Sequence, residues 1–165
     1  MCNEKNEGLK YDAGKPMYAL VPFSIIESVM GRTSTANYAE KQVLETAFHY
    51  QSEPTAANLE NLLTKLTAMT MTIKGGGFCN YECLEGVAKV YEFGMKKYGY
   101  LNWTKFDATV ENRLRFLSAF FRHFFKYLGN REATDEESGI NHLHHATWNV
   151  IMLRYLTDEI NEEKI

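Results

Sequence analysis

The sequence predicts an all-α protein, and three observations carry that expectation. Apolar residues recur at helical spacing through successive runs of the chain. No run of five or more residues alternates apolar and polar as a half-buried strand would. Breaks rich in Gly, Pro or Ser separate the runs. The fixed-period self-similarity of a repeat protein is absent, as is any low-complexity tract.

Taken in order, residues 1–10 read as polar and loose, and Tyr11-Asp12-Ala13-Gly14-Lys15-Pro16 as a turn. Pro22 and Ser24 introduce a short helix to about Met30. Gly31 to Thr35 is a break, and residues 36–51 form an amphipathic helix with Ala39, Val43, Ala47 and Tyr50 on one side. Ser52-Glu53-Pro54 stops it. From Thr55 a second stripe runs through Leu59, Leu62, Leu63, Leu66 and Met69. Lys74-Gly75-Gly76-Gly77 lacks the GK[ST] ending of a phosphate-binding loop and reads as a connector. Leu84–Lys97 is the next helix, then a loop from Tyr98 to Lys105. Asp107 or Thr109 caps a helix from about Val110 to Leu128, which Gly129 closes. Tyr91, Phe120, Phe121 and Phe125 are expected to be packing residues. The last helix is expected from Glu137 to Glu159.

With 165 residues and 45% hydrophobic content, one domain with a real core is the expectation. A net charge of −3 argues against a general nucleic-acid binder, although Lys96-Lys97 and Arg113 to His123 form local basic clusters suited to a small phosphorylated ligand. The three cysteines include a CxxxC pair, Cys79 and Cys83, without a second pair to complete a structural zinc site, so free thiols in a reducing compartment are expected. The N-terminus MCNEKNEG has no apolar core and no run is long enough to span a bilayer, so a soluble cytoplasmic protein is expected.

Chemistry concentrates between Arg131 and Asn149. Glu132 precedes three consecutive acids, Asp135, Glu136 and Glu137, and a Ser138-Gly139 break leads to His142, His144 and His145. A helix begun near Glu137 would place Glu137, Asn141, His145 and Asn149 on one stripe with His142 beside it. Carboxylates and imidazoles gathered on one face are costly to bury without a partner, and the usual partner of such carboxylates is a divalent cation. The competing reading is a solvated acidic loop capping a surface helix. A zinc site on His142 and His145 lacks an evident third ligand, and His144 is expected to be exposed.

Three stretches, KYDAGKPMYALVP at Lys10–Pro22, LEGVAKVYEFGMKKYGYLNW at Leu84–Trp103 and RHFFKYLGNREATDEESGINHLHHATWN at Arg122–Asn149, together resemble a phage-encoded family of nucleotide hydrolases. These are the N-terminal dATP/dGTP diphosphohydrolase domains, related to the all-α MazG-like pyrophosphohydrolases. The resemblance implies a MazG-like helical bundle forming a single nucleotide-binding domain over residues 1–165; residues 31–82, where the family has only a short connection, depart from it and read as an inserted helical pair. It implies Mg²⁺ (or Mn²⁺) held by an E-x-x-E on one helix and an E-x-x-D on the next. Glu132 and Asp135 match the second half. Glu82 and Glu85 match the first, with Glu85 the better ligand and Glu92 in reserve. The implied metal ligands are Glu85, Glu132 and Asp135, joined by Glu137 as the catalytic set. Lys15, Lys97, Arg122 and His123 are expected to bind phosphates, and Asn102, Trp103, His142, His145 and Asn149 the base and sugar. The implied reaction cuts purine (deoxy)nucleoside triphosphates to monophosphate and pyrophosphate, in a homo-oligomer located in the host cytoplasm if phage-encoded.

A rival from another class is a non-catalytic protein that sequesters a host signalling nucleotide. It would need the same base and phosphate contacts but no converging carboxylates, which near a phosphate without metal would repel it. A helical interaction module is the weakest of the three.

Overall fold

The computed structural model describes residues 8, 10, 12–22, 24–26, 36–72 and 81–162. Residues 27–35, the Gly75-Gly76-Gly77 connector, Tyr11, Cys2 and Cys79 lie outside them. The described residues form five long helices: α1 Tyr38–Ser52, α2 Ala56–Thr72, α3 Tyr81–Tyr98, α4 Val110–Gly129 and α5 His142–Glu162. Short 3-10 turns cover Tyr18–Leu20 and Asn102–Lys105, and residues 24–26 are helical. No strand occurs among the described residues, so the fold is all-α as expected. No helix among them is long and apolar enough to cross a membrane.

Helix starts are set by side chains that satisfy the first free amides. Asn37 accepts from the Glu40 amide at 2.9 Å while Glu40 accepts from the Asn37 amide at 2.8 Å, a complete capping box for α1. Thr109, not Asp107, caps α4 by accepting from the Asn112 amide at 3.1 Å. Thr55 accepts from the Asn58 amide at 3.2 Å where α2 begins. The three-residue link at 53–55 leaves α1 and α2 packed along each other as a helical hairpin.

The most extensive helix pair is α4 with α5. Phe116, Phe120, Phe121 and Phe124 of α4 are fully buried in one cluster with Ala146, Val150, Met152 and Leu153 of α5. The α2 stripe, Leu59, Leu62, Leu66 and Met69, completes the same cluster, and Phe48 of α1 stacks on Phe121 at a 5.2 Å centroid distance. The helices of the 31–82 segment therefore share the central core. α3 lies against α5 and the 102–105 turn. Gly86 permits that approach, since a Cβ there would run into the His144 ring. His144, expected to be exposed, is instead half-buried under α3.

Where α5 begins differs from expectation. It starts at His142, capped by Asn141, which accepts from the Leu143 amide at 2.8 Å. Residues 135–140 are held out of the helix by Asp135, whose Oδ1 accepts from the amides of Ser138 (3.1 Å) and Glu137 (3.3 Å), and by Gly139 at φ +70°. Glu137 and Asn141 thus do not continue the His145–Asn149 stripe as a helical face.

Glu40 is 1% exposed and takes two bonds from Arg131, at 2.7 and 3.1 Å. This pair ties α1 to the start of the Asp135 loop. Glu40→Ala is expected to lower unfolding stability by about 3 kcal/mol in urea titration, because it removes a cap and strands a partly buried guanidinium. A change under about 0.5 kcal/mol, the range of ordinary surface substitutions, would show that the pair supports nothing.

Candidate active site

Three imidazoles meet where α4 crosses the start of α5. His123 stacks on His145 with centroids 4.7 Å apart and 14° between planes. Its Nδ1 lies 2.9 Å from Nδ1 of His142. His142 and His145 are buried, and His123 is nearly so. Burial, followed by the charge of neighbouring His145 and Arg122, drives His123 down to about 2, and burial takes His145 to about 4. All are therefore neutral at physiological pH. His145 Nε2 shares a 2.7 Å hydrogen bond with the Ser138 hydroxyl, which in turn reaches Asp135 Oδ1 at 3.1 Å. Burial pushes the Asp135 carboxyl up, but the Ser138 hydrogen bonds and the imidazoles outweigh it and leave it below the usual carboxylate value.

Beside this cluster is a cavity of about 390 Å³, within the range of small-molecule sites, about 300–1,000 Å³. Asp135, His123 and His145 form part of its wall. Both tryptophans of the chain line it, and Tyr91 meets Trp103 and Trp148 edge-on, each at 5.7 Å. Three basic side chains line it: Lys10, Lys15 and Arg122. The Arg122 guanidinium is half-buried, with neither hydrogen bond nor ion pair among the described residues. Burial lowers its pKa while Asp12 and Asp135 act the other way, and an arginine stays cationic throughout.

Lys10 is the residue that sequence reasoning passed over. Its Nζ donates to Asn149 Oδ1 at 2.9 Å and sits 3.7 Å from the Phe116 ring centroid. Burial and then the Arg122 charge push its pKa well below the ordinary lysine value. The stretch that carries it is fastened to α4. Arg115 donates to the Lys10 carbonyl at 2.9 Å and to Asp12 Oδ2 at 2.8 Å, and the Ser118 hydroxyl accepts from the Ala19 amide at 3.1 Å. From α1, Gln51 donates to the carbonyls of Ala19 and Val21.

Of the expected site residues, Lys15, Asn102, Trp103, Arg122, His123, Asp135, Glu137, His145 and Asn149 line the cavity. His142 stands behind His123. Asn149 uses both ends of its amide, accepting from Lys10 and donating to the His145 carbonyl at 2.7 Å. Lys97 does not line the cavity but pairs with Glu137 at its edge. Two residues fall elsewhere. Glu85 is exposed and pairs with Lys89 at 3.0 Å, and Glu132 is exposed on the loop before Asp135. Tyr91 and Trp148, one expected to be packing and one unassigned, are cavity walls.

A magnesium ion needs converging oxygen donors. Among the described residues, one group of three His, Cys, Asp or Glu side chains has its donor atoms within 4.8 Å of one another, and it is His123, Asp135 and His142. Glu85 and Glu132 are not in it. The all-carboxylate ligand set therefore does not fit this geometry. The Glu82-x-x-Glu85 pair does lie on one helix, α3, but on exposed positions.

Asp12 anchors the Lys10 stretch through Arg115. Burial raises its carboxyl, and the Arg115 hydrogen bonds and charge more than reverse this. A carboxyl depressed in the folded state stabilises above its unfolded pKa of about 3.9 and ceases to do so as pH falls through the folded value. Asp12→Asn is expected to cost about 1–2 kcal/mol at pH 7 and progressively less below pH 4. Urea unfolding at pH 7 and pH 3 checks this, and an equal loss at both would contradict the ion pair.

No curated protein and no solved structure matches the chain. A family described as dATP/dGTP diphosphohydrolase, N-terminal, matches residues 65–164. The match begins inside α2, so the segment read as an insertion falls partly within it. It takes in every cavity-lining residue beyond Lys15. Spanning more than half of the chain and nearly all of the site, this match places the protein in the dATP/dGTP diphosphohydrolase N-terminal family.

Proposed function

We propose that the cavity binds a purine deoxynucleoside triphosphate and that the protein hydrolyses it, with a divalent cation, to the monophosphate and pyrophosphate. The observation that carries this reading is an aromatic cavity whose wall presents an unpaired, half-buried guanidinium, Arg122, beside a carboxylate, Asp135. The family's name supports the substrate class.

In this reading Trp103, Trp148 and Tyr91 hold the base between ring edges and faces. Arg122 takes the phosphates, with Lys15 reaching from the turn at the mouth. Lys10 and Asn149, already joined, offer one fixed polar edge to the base or sugar. Asp135, held rigidly by Ser138, orients water or a cation at the phosphate. When bound, a divalent cation neutralises phosphate charge and lowers the pKa of water. Preorganised charge of this kind is the main source of rate in such hydrolysis.

Binding without turnover is the second reading. The placement of Glu85 and Glu132 away from the cavity favours it. Exposed Leu84 and Met95 on α3 support a homo-oligomer as part of the proposal. Light scattering at micromolar concentration should then exceed the 19.0 kDa monomer.

Pyrophosphate release from dATP and dGTP, with and without divalent metal, separates the readings. Turnover that falls about 100–1,000-fold in Arg122→Gln and in Asp135→Asn is expected, as for loss of one transition-state-stabilising group. Tight, metal-independent binding of either nucleotide with no release would leave only the sequestering protein.

A further inference from the structure

Two imidazole nitrogens and a carboxylate converge from three separate elements. His123 comes from the interior of α4, Asp135 from the loop, and His142 from the first position of α5. The two Nδ1 atoms are 2.9 Å apart, so one proton serves both, and the second nitrogen presents its lone pair. Two nitrogens bound to one ion at about 2.0–2.1 Å stand about 3 Å apart, close to the spacing found here. An ion that replaces the shared proton lies within reach of both nitrogens once the rings turn their lone pairs toward it. Asp135 is arranged to match. Its Oδ1 accepts from the Ser138 amide and hydroxyl and from the Glu137 amide, which leaves Oδ2 without a hydrogen bond among the described residues. The His145 ring stacked on His123 and the Ser138 bonds to Asp135 fix these two ligands in orientation. His123 and Asp135 also line the cavity, so the remaining coordination positions open toward it.

We propose that His123, Asp135 and His142 bind one divalent first-row transition ion, of the manganese-to-zinc series, in preference to magnesium. Neutral imidazole is a ligand for these borderline ions, whereas magnesium takes oxygen donors at strict octahedral geometry. Three protein ligands with open positions make a site for chemistry rather than a closed structural one. The inference rests on the nucleotide reading only for what occupies the open positions. Capture of the ion does not depend on it.

The test is a titration of the full chain with Co²⁺ alone, followed by visible absorption. A d–d band saturating at one equivalent is expected, displaced by Zn²⁺ and unaffected by equimolar Mg²⁺. Affinity should fall about 100-fold in His142→Gln and in Asp135→Asn, the scale on which metal-site support is lost, and stay unchanged in Glu85→Gln and Glu132→Gln. In the unmutated protein, the ring protons of His123 and His142 should show paramagnetic shifts, which settles the ligands even if a variant fails to fold. No band, displacement by Mg²⁺, unshifted imidazoles or loss of the band in the glutamate variants would each overturn the site. Co²⁺ binding without nucleotide turnover would refute the hydrolase alone, and magnesium-dependent turnover without Co²⁺ binding would refute this site alone.

Discussion

The seam between α4 and α5 sets the terms for everything else in the molecule. It is packed by phenylalanines along most of its length, yet at one end it encloses three imidazoles. A charged imidazole there would lose hydration with little in return, so the seam holds all three in their neutral form. A neutral imidazole must still place its one N–H and its one lone pair. The structure does so by pairing His123 with His142 and His145 with Ser138. The site is therefore a consequence of how the core is closed.

The two remaining walls are brought to this seam by polar bonds rather than by apolar packing alone. Arg115 and Ser118, one turn apart on α4, face the N-terminal stretch and hold Lys10 over Phe116. Glu40 on α1 holds Arg131, and Asn141 donates to the Arg131 carbonyl at 2.8 Å. The loop that carries Asp135 is thus braced from both ends, by a helix of the segment read as an addition and by the cap of α5. That segment makes the loop's foundation as well as part of the core.

Helices were legible because their apolar stripes are long and their caps local. Leu59 to Met69 and Phe116 to Phe124 repeat at helical spacing, and Thr109 stands directly before the run it caps. The start of α5 was not legible in the same way. Acids before an apolar run resemble a first helical turn, and only the Asp135 turn with Gly139 at positive φ, a competition between side-chain and backbone acceptors, decides against it. Asp135, His142 and His145 stand out by their crowding in sequence, and His123 by its place in a basic cluster. Lys10 does not, since its partner Asn149 lies 139 residues away and no periodicity encodes that contact. Glu85 shows the opposite limit. Its E-x-x-E spacing is right for a helix, but spacing leaves open which way the helix faces, and α3 turns it to solvent.

Charge at the cavity runs against charge of the chain. The whole sequence carries −3, and three acids line the cavity: Glu92, Asp135 and Glu137. Glu92 is paired with Lys96 at 2.6 Å and Glu137 with Lys97. The adjacent lysines at the end of α3 thus neutralise two of the acids, leaving Asp135 as the lining carboxylate without a basic partner. Partial enclosure by aromatic rings lowers the local dielectric and lengthens the reach of the lining charges. A polyanion arriving from solvent meets a neutralised edge and a lining that carries Arg122 and Lys15 together with a single unpaired carboxylate. That carboxylate would repel a bare phosphate, and it is the one beside two imidazoles able to share a cation with it. The electrostatics of the cavity and the donor set behind it therefore agree with the proposed pairing of a nucleotide with a metal ion.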